Sequence, residues 1–301
     1  MKILYVLLGP TGVGKTALGI RIARHLGCPV ISADSRQIYN EMPVGTAAPA
    51  EKLRAEIEHY FIATHSVTDY YSASLFEEDA ISLINKLYET YDCLLLCGGS
   101  MLYIDAVCQG IDDMPTVTHE IRDALWKQYF ETGLDPILDE LKNADPIHYE
   151  EVDRKNHRRV IHALEICRMT GKPYSSFRTR KQKKRPFKIC KIGLIRERTE
   201  LFDRINKRVD EMMDNGFVEE AKRLYPMRGL NALNTLGYKE LFAYFDRAYT
   251  LPEAIEKIKR NTRIYARKQI TWFKRDPEIN WFNPDNEYDI INYIDKAIFD
   301  S

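Results

Sequence analysis

The residues best equipped for chemistry stand near the start of the chain. Gly9-Pro10-Thr11-Gly12-Val13-Gly14-Lys15-Thr16 fits G-x-x-x-x-G-K-[ST], between a short apolar run and a helical pattern. Glycines in such a loop let backbone N–H groups turn inward and form an anion nest. The helix that follows adds the partial positive charge of its N-terminus. Lys15 contributes a point charge for the outer phosphate oxygens, and Thr16 a hydroxyl for Mg²⁺. A phosphate or diphosphate ligand is therefore predicted, and Gly9–Thr16 is the expected cradle.

The loop alone does not name the reaction. ATP- and GTP-hydrolysing proteins with this loop place an acid at the end of a second apolar strand. Here Leu94-Leu95-Leu96 runs into Cys97-Gly98-Gly99-Ser100, with no acid. Hydrolysis is disfavoured. The acid nearest in sequence is Asp34, just past a strand expected over Cys28–Ser32. In a parallel sheet the carboxyl ends of the strands share one edge, so Asp34 should face the phosphate loop. A carboxylate there can ligate Mg²⁺ or take a proton as a general base. It can also be an ordinary turn aspartate. A small-molecule kinase is a second reading, with Arg178–Arg185 as an arginine lid.

These groups need a scaffold. Ile3–Leu8, Cys93–Cys97 and Lys188–Ile195 read as strands, and Lys15–His25 as a helix. Ser74-Leu75-Phe76-Glu77 has the form of a capping box for a helix reaching Tyr88. Strands alternating with helices predict an α/β fold: a P-loop NTPase-like parallel sheet with helices on both faces. From Pro115 to Pro186 the periodicity is helical, with little strand signal. The predicted organisation is a core over 1–112 and 188–301, with a helical insertion over 113–187. Trp126, Tyr129 and Phe130 are expected in the core of that insertion. Leu201–Met213 and Pro252–Phe273 read as amphipathic helices, the second with a strongly basic face.

Net charge is zero over 301 residues, but unevenly spread. Residues 154–198 carry 16 Lys/Arg against 2 Glu, a net +14. Such a block points to a polyanion, because each neutralised phosphate releases counterions. A mobile basic surface is the plainer alternative. The six cysteines form no CxxC pair and no zinc spacing, so buried free thiols are expected. No apolar run approaches the roughly 18–20 residues of a membrane span, and no signal peptide is read. A cytoplasmic protein with no membrane partner is expected.

Several ordered blocks resemble the tRNA dimethylallyltransferases (isopentenyl-diphosphate:tRNA transferases). These are Gly9–Thr16; Ser32-Ala33-Asp34-Ser35-Arg36-Gln37-Ile38-Tyr39 with Met42 and Gly45–Pro49; Gly98–Tyr103; Arg159–Glu165 with Thr170–Pro173; Arg204–Asp210; Gly237–Glu240; and Thr262-Arg263 through Gln269–Phe273. The resemblance spans about residues 3 to 281. It implies dimethylallyl diphosphate as donor. As acceptor it implies the exocyclic amine of the adenosine 3′ to the anticodon, in the anticodon stem-loop of tRNA. Asp34 would be the general base, with Lys15 and Thr16 in the catalytic set and Thr16 the Mg²⁺ contact. Asp34, Ser35, Arg36 and Gln37 would touch the target nucleotide, and Ser100 its base. Arg122 and the run Arg158, Arg159, Val160, Ile161, His162 would contact tRNA.

Three positions depart from the family pattern. Ser100 stands where threonine is usual, His162 where many members have arginine, and Arg36 at a variable site. The zinc-finger extension of eukaryotic members is not seen, which implies a bacterial-type enzyme, expected to be a monomer with no obligate protein partner. Prenyl transfer to free AMP or ADP is a neighbouring reading, which the +14 segment argues against. A non-enzymatic tRNA-binding protein leaves the phosphate loop without a purpose.

Overall fold

The computed structural model describes residues 1–179 and 181–299. Arg180, within the expected arginine run, lies outside them. The chain divides into two compact units, Met1–Gln109 with Lys184–Ser301, and Gly110–Lys183.

The first unit opens with β1 (Ile3–Leu8), buried at every position as a strand covered on both faces must be. It continues through α1 (Lys15–Leu26), β2 (Val30–Ala33), α2 (Glu51–Glu56), β3 (His59–Tyr60), α3 (Ala73–Leu87), β4 (Cys93–Gly98) and α4 (Met101–Gln109). The second unit holds α5 (His119–Thr132), α6 (Asp135–Ala144), α7 (Pro146–Glu151) and α8 (His157–Thr170). The chain then returns to the first unit with β5 (Lys188–Leu194), α9 (Arg198–Asp214), α10 (Phe217–Leu224), α11 (Tyr238–Phe245), α12 (Leu251–Phe273), β6 (Asn280–Phe282) and α13 (Glu287–Phe299).

The strands form one sheet in the order β3-β2-β4-β1-β5-β6, every pair parallel. Helices lie on both sides, so the predicted fold class holds. β1 sits between β4 and β5, which places the carboxyl ends of β1, β2 and β4 along one edge. The predicted second strand begins two residues late, at Val30, because Pro29 has no N–H to give the ladder. β3 and β6 escaped the sequence pattern. At 2 and 3 residues they are too short to show a period.

Two apolar cores serve the first unit. One surrounds the sheet. The other gathers Ile38, Tyr39 and Met42 with Phe217, Leu241 and Ile258 from α10, α11 and α12. In the second unit Leu125, Ile137, Leu141, Val160, Ile161 and Leu164 make the core.

Three expectations change here. The cap of α3 is Ser72, whose Oγ accepts the Leu75 N–H at 3.3 Å, and Ser74 lies inside the helix. Glu77 therefore caps nothing. It is buried and pairs with Arg185 at 2.7 Å. Arg185 also donates to the carbonyls of Ala106 and Val107, at 2.6 and 2.8 Å, in the last turn of α4. It is thus a structural cation within the first unit, although it closes the basic run. Of the aromatic trio, Trp126 and Tyr129 pack against the second unit's core, and Phe130 does not. On α5 only Leu125 is buried, and Phe130 is 77% exposed. Trp126 and Tyr129 are half-buried, and Tyr129 stacks on His157 at 5.1 Å.

Candidate active site

The phosphate loop leaves β1 at Leu8 and enters α1 at Lys15. Gly12 and Gly14 hold φ of +81° and +112°, which side chains resist and which turns the amides inward. Val13 is buried in the core and anchors the loop. Lys15 Nζ donates to the carbonyls of Gly9 and Pro10, at 3.0 and 2.8 Å. Burial pushes the Lys15 ammonium down to about 8; Cys97 and Asp34 oppose the shift and Arg208 adds to it.

Around the loop stand arginines that the sequence reading left out of the site. Arg204 Nε donates to the Gly12 carbonyl at 2.9 Å, and Arg196 Nε to the Val13 carbonyl at 3.0 Å. Arg208 reaches Thr11 Oγ1 at 3.3 Å and the Thr46 carbonyl at 3.0 Å. Burial lowers the Arg208 pKa, against the pull of Asp34 and Glu211. A signal was there. Arg204 and Arg208 are four apart on α9, beside the buried stripe Leu201, Ile205, Val209 and Met212.

Asp34 follows β2 directly. Its Oδ1 accepts the N–H groups of Arg36 and Gln37, at 2.9 and 3.3 Å. Its Oδ2 accepts no hydrogen bond among the described residues. One oxygen fixes the carboxylate, and the other is open to an incoming proton donor. Ser100 secures the same turn. Its Oγ accepts the Ser35 N–H at 2.8 Å and donates to Ser35 Oγ at 3.1 Å.

Gln269 on α12 joins the two loops. Its Oε1 accepts the Thr11 N–H at 2.9 Å, and its Nε2 donates to the Gly99 carbonyl at 2.7 Å. This tie also explains why no acid ends β4. A side chain at Gly98 would run into the Ala33 carbonyl, and one at Gly99 would meet Gln269 at 2.7 Å.

Lys15, Asp34, Ser100, Arg204, Arg208 and Gln269 line one cavity of about 750 Å³, together with Thr16, Tyr265 and Arg36. Burial first, then the Asp34 charge, pushes the Tyr265 hydroxyl up to about 12, so it stays protonated. No group of three or more His, Cys, Asp or Glu side chains with metal-binding geometry occurs among the described residues. Mg²⁺ held by the Thr16 hydroxyl, water and ligand phosphate oxygens fits these residues, since that ion keeps much of its water.

The remaining predicted residues lie in the second unit. Arg158 and Arg159 are exposed at the start of α8. Arg122 and His162 flank the buried carboxylate of Glu165, at 3.5 and 3.3 Å. Val160 and Ile161 are buried in that unit's core, so their side chains cannot meet RNA. A five-residue helical run necessarily turns some side chains inward.

A model of the IPP transferase family matches residues 37–276. The chain belongs to the IPP transferase family. It is 62% identical to tRNA dimethylallyltransferase 2 of Parabacteroides distasonis, over 99% of this chain and 100% of that protein. With tRNA dimethylallyltransferase 1 of Phocaeicola vulgatus it shares 56%, over 97% of each. Among solved structures, this IPP transferase family member is similar to the full-length tRNA isopentenylpyrophosphate transferase of Bacillus halodurans. The TM-score is 0.72 and the identity 33%, over 100% of this chain and 98% of that one. A eukaryotic dimethylallyltransferase acting on tRNA gives a TM-score of 0.78 at 26% identity, over 94% and 74%.

Proposed function

We propose that this enzyme transfers a dimethylallyl group from dimethylallyl diphosphate to the N6 amine of the adenosine 3′ to the anticodon in tRNA. The products are N6-(dimethylallyl)adenosine and diphosphate. The observation that carries the reading is the shared cavity: an anion nest with Lys15 and Arg208 on one side, and Asp34 with an open oxygen on the other. The relatives named above support it, and none supports the kinase reading.

The amine attacks the allylic carbon as the carbon–oxygen bond to diphosphate breaks. Asp34 Oδ2 takes the proton that the amine sheds, which helps because an aryl amine is a weak nucleophile. Lys15, Arg208, Arg204 and the loop amides receive the charge that develops on the leaving group. Thr16 would hold Mg²⁺, which would supply further neutralisation of that charge. Gln37 and Ser35, held beside Asp34, orient the nucleotide. The target base leaves its stack to reach them. No water needs activating, which agrees with a β4 that ends in glycine.

On the RNA side we assign Arg36, Arg122, Arg158, Arg159, His162 and the basic face of α12, which carries Arg260, Arg267 and Lys268. The enzyme acts as a monomer in the cytoplasm, where unmodified tRNA is present. No helix of the described residues is long and apolar enough to cross a membrane.

Incubation with dimethylallyl diphosphate and unmodified tRNA in ATP-free buffer tests the reading. Prenylated adenosine is expected. Phosphorylation of a small alcohol by ATP, with no prenyl transfer, would refute it, and transfer to free AMP but not to tRNA would move the acceptor. A contrast within the basic run is also expected. Replacing the exposed Lys181 and Lys184 by alanine should weaken tRNA binding. It should also flatten the salt dependence by about 0.7–0.9 for each phosphate that is no longer neutralised. Arg185→Met should leave that slope unchanged but cost about 3 kcal/mol of stability in denaturant melts, because it breaks the buried pair with Glu77.

A further inference from the structure

Glu220 is fully buried on α10 and is not among the groups assigned to the reaction. Its Oε2 accepts the Val44 N–H at 2.9 Å. Its Oε1 accepts the Gly45 N–H at 2.7 Å and the Tyr238 hydroxyl at 2.6 Å. Three donors converge on it, and no cation pairs with it among the described residues. An acceptor-only side chain is what such a nest requires. A glutamine would turn an N–H group toward one of the amides.

The segment it grips is a compact turn. Thr46 Oγ1 donates to the Met42 carbonyl at 2.7 Å, and Ala48 N–H to the Pro43 carbonyl at 2.9 Å. Ala47 holds φ +45°, a conformation that non-glycine residues keep only where the surroundings impose it. The outer side of the turn faces the cavity. There the Thr46 carbonyl accepts Arg208 Nη2 at 3.0 Å and Gln37 Nε2 at 3.2 Å. Arg208 then reaches Thr11 in the phosphate loop, and Gln37, whose side chain the Thr46 carbonyl holds, gives its own backbone N–H to Asp34 Oδ1.

We propose that Glu220 is a positioning residue for both halves of the reaction. By clamping the amides of Val44 and Gly45 it sets the Thr46 carbonyl, which aims Arg208 at the donor's diphosphate and Gln37 at the nucleotide beside Asp34. This rests on the reading that the cavity takes a diphosphate. Glu220 touches no substrate and acts through Arg208 on the donor side.

Calorimetric titration of the full chain with inorganic diphosphate and Mg²⁺ tests it, using Glu220→Gln, Arg208→Gln and the double variant. Glu220→Gln is expected to weaken diphosphate binding about tenfold. In the Arg208→Gln background the same change should have no further effect, because coupled residues do not add. Should Glu220→Gln fail to fold, Tyr238→Phe removes a single donor. It should weaken binding a few fold in the same direction, and again only while Arg208 is present. A wild-type protein that binds diphosphate alongside variants that bind it equally well would overturn the proposal alone. Additive losses in the double variant would also overturn it, since they describe a merely structural role. A wild-type protein that binds no diphosphate would overturn the reading of the cavity, and this proposal with it.

Discussion

Asp34→Asn should lower single-turnover prenyl transfer by about 10²- to 10⁴-fold, the usual contribution of a positioned general base. The asparagine oxygen can still accept the Arg36 and Gln37 amides, so the turn after β2 should persist. What disappears is the second oxygen's capacity to take a proton. Affinity for tRNA should stay near that of the wild type, because the base acts only as the bond forms. Asp34→Ala should lose the same activity and loosen the turn as well. Turnover near the wild-type rate in either variant would remove Asp34 from the chemistry and leave it as a turn residue.

The second large effect is expected at Lys15. Lys15→Ala should lower transfer by about 10²- to 10³-fold, comparable to loss of one preorganised charge-stabilising donor. The wild-type enzyme offers a companion test. Because burial holds the Lys15 pKa near about 8, the ammonium is charged below that pH and neutral above it. Donor affinity of the free enzyme should therefore fall as pH rises through about 8. Phosphate groups complete their ionisation near about pH 6, so the donor itself is not the cause. In Arg208→Gln the same fall should move to higher pH, since Arg208 helps to depress Lys15. A flat donor affinity between pH 7 and 9, to either side of about 8, would contradict this account of Lys15.

The parts of the site that sequence reading reached are those fixed by local pattern. The phosphate loop is contiguous, and its flanking strand and helix are fixed by their own periodicities. Asp34 was placed at the cavity by one topological rule, that parallel strands end on a common edge. The groups it did not reach depend on partners distant in sequence. Arg208 meets Thr11 across 197 positions, and Gln269 meets Thr11 across 258. Glu220 grips Val44 across 176. No local window contains such pairs, although Arg204 and Arg208 on one helical face gave a hint.

The errors have the same origin. Ser74 and Glu77 have capping spacing, yet Ser72 lies just before them with an equally good hydroxyl, and Arg185 recruits Glu77 from more than a hundred positions away. Charge density alone could not separate the buried Arg185 from its exposed neighbours Lys181 and Lys184. Hydropathy alone placed Trp126, Tyr129 and Phe130 inside; Trp126 and Tyr129 do pack against the second unit's core, but Phe130 is exposed.

In the proposed reaction the donor's diphosphate leaves from the phosphate loop as one adenosine amine is alkylated. Single-turnover transfer with enzyme in excess tests it most directly, following released diphosphate and the mapped position of the prenyl group in unmodified tRNA. Equal amounts of diphosphate and prenylated RNA are expected, formed at one rate without ATP, with the label on the adenosine 3′ to the anticodon. Diphosphate released without RNA modification, or a prenyl group found elsewhere, would contradict it.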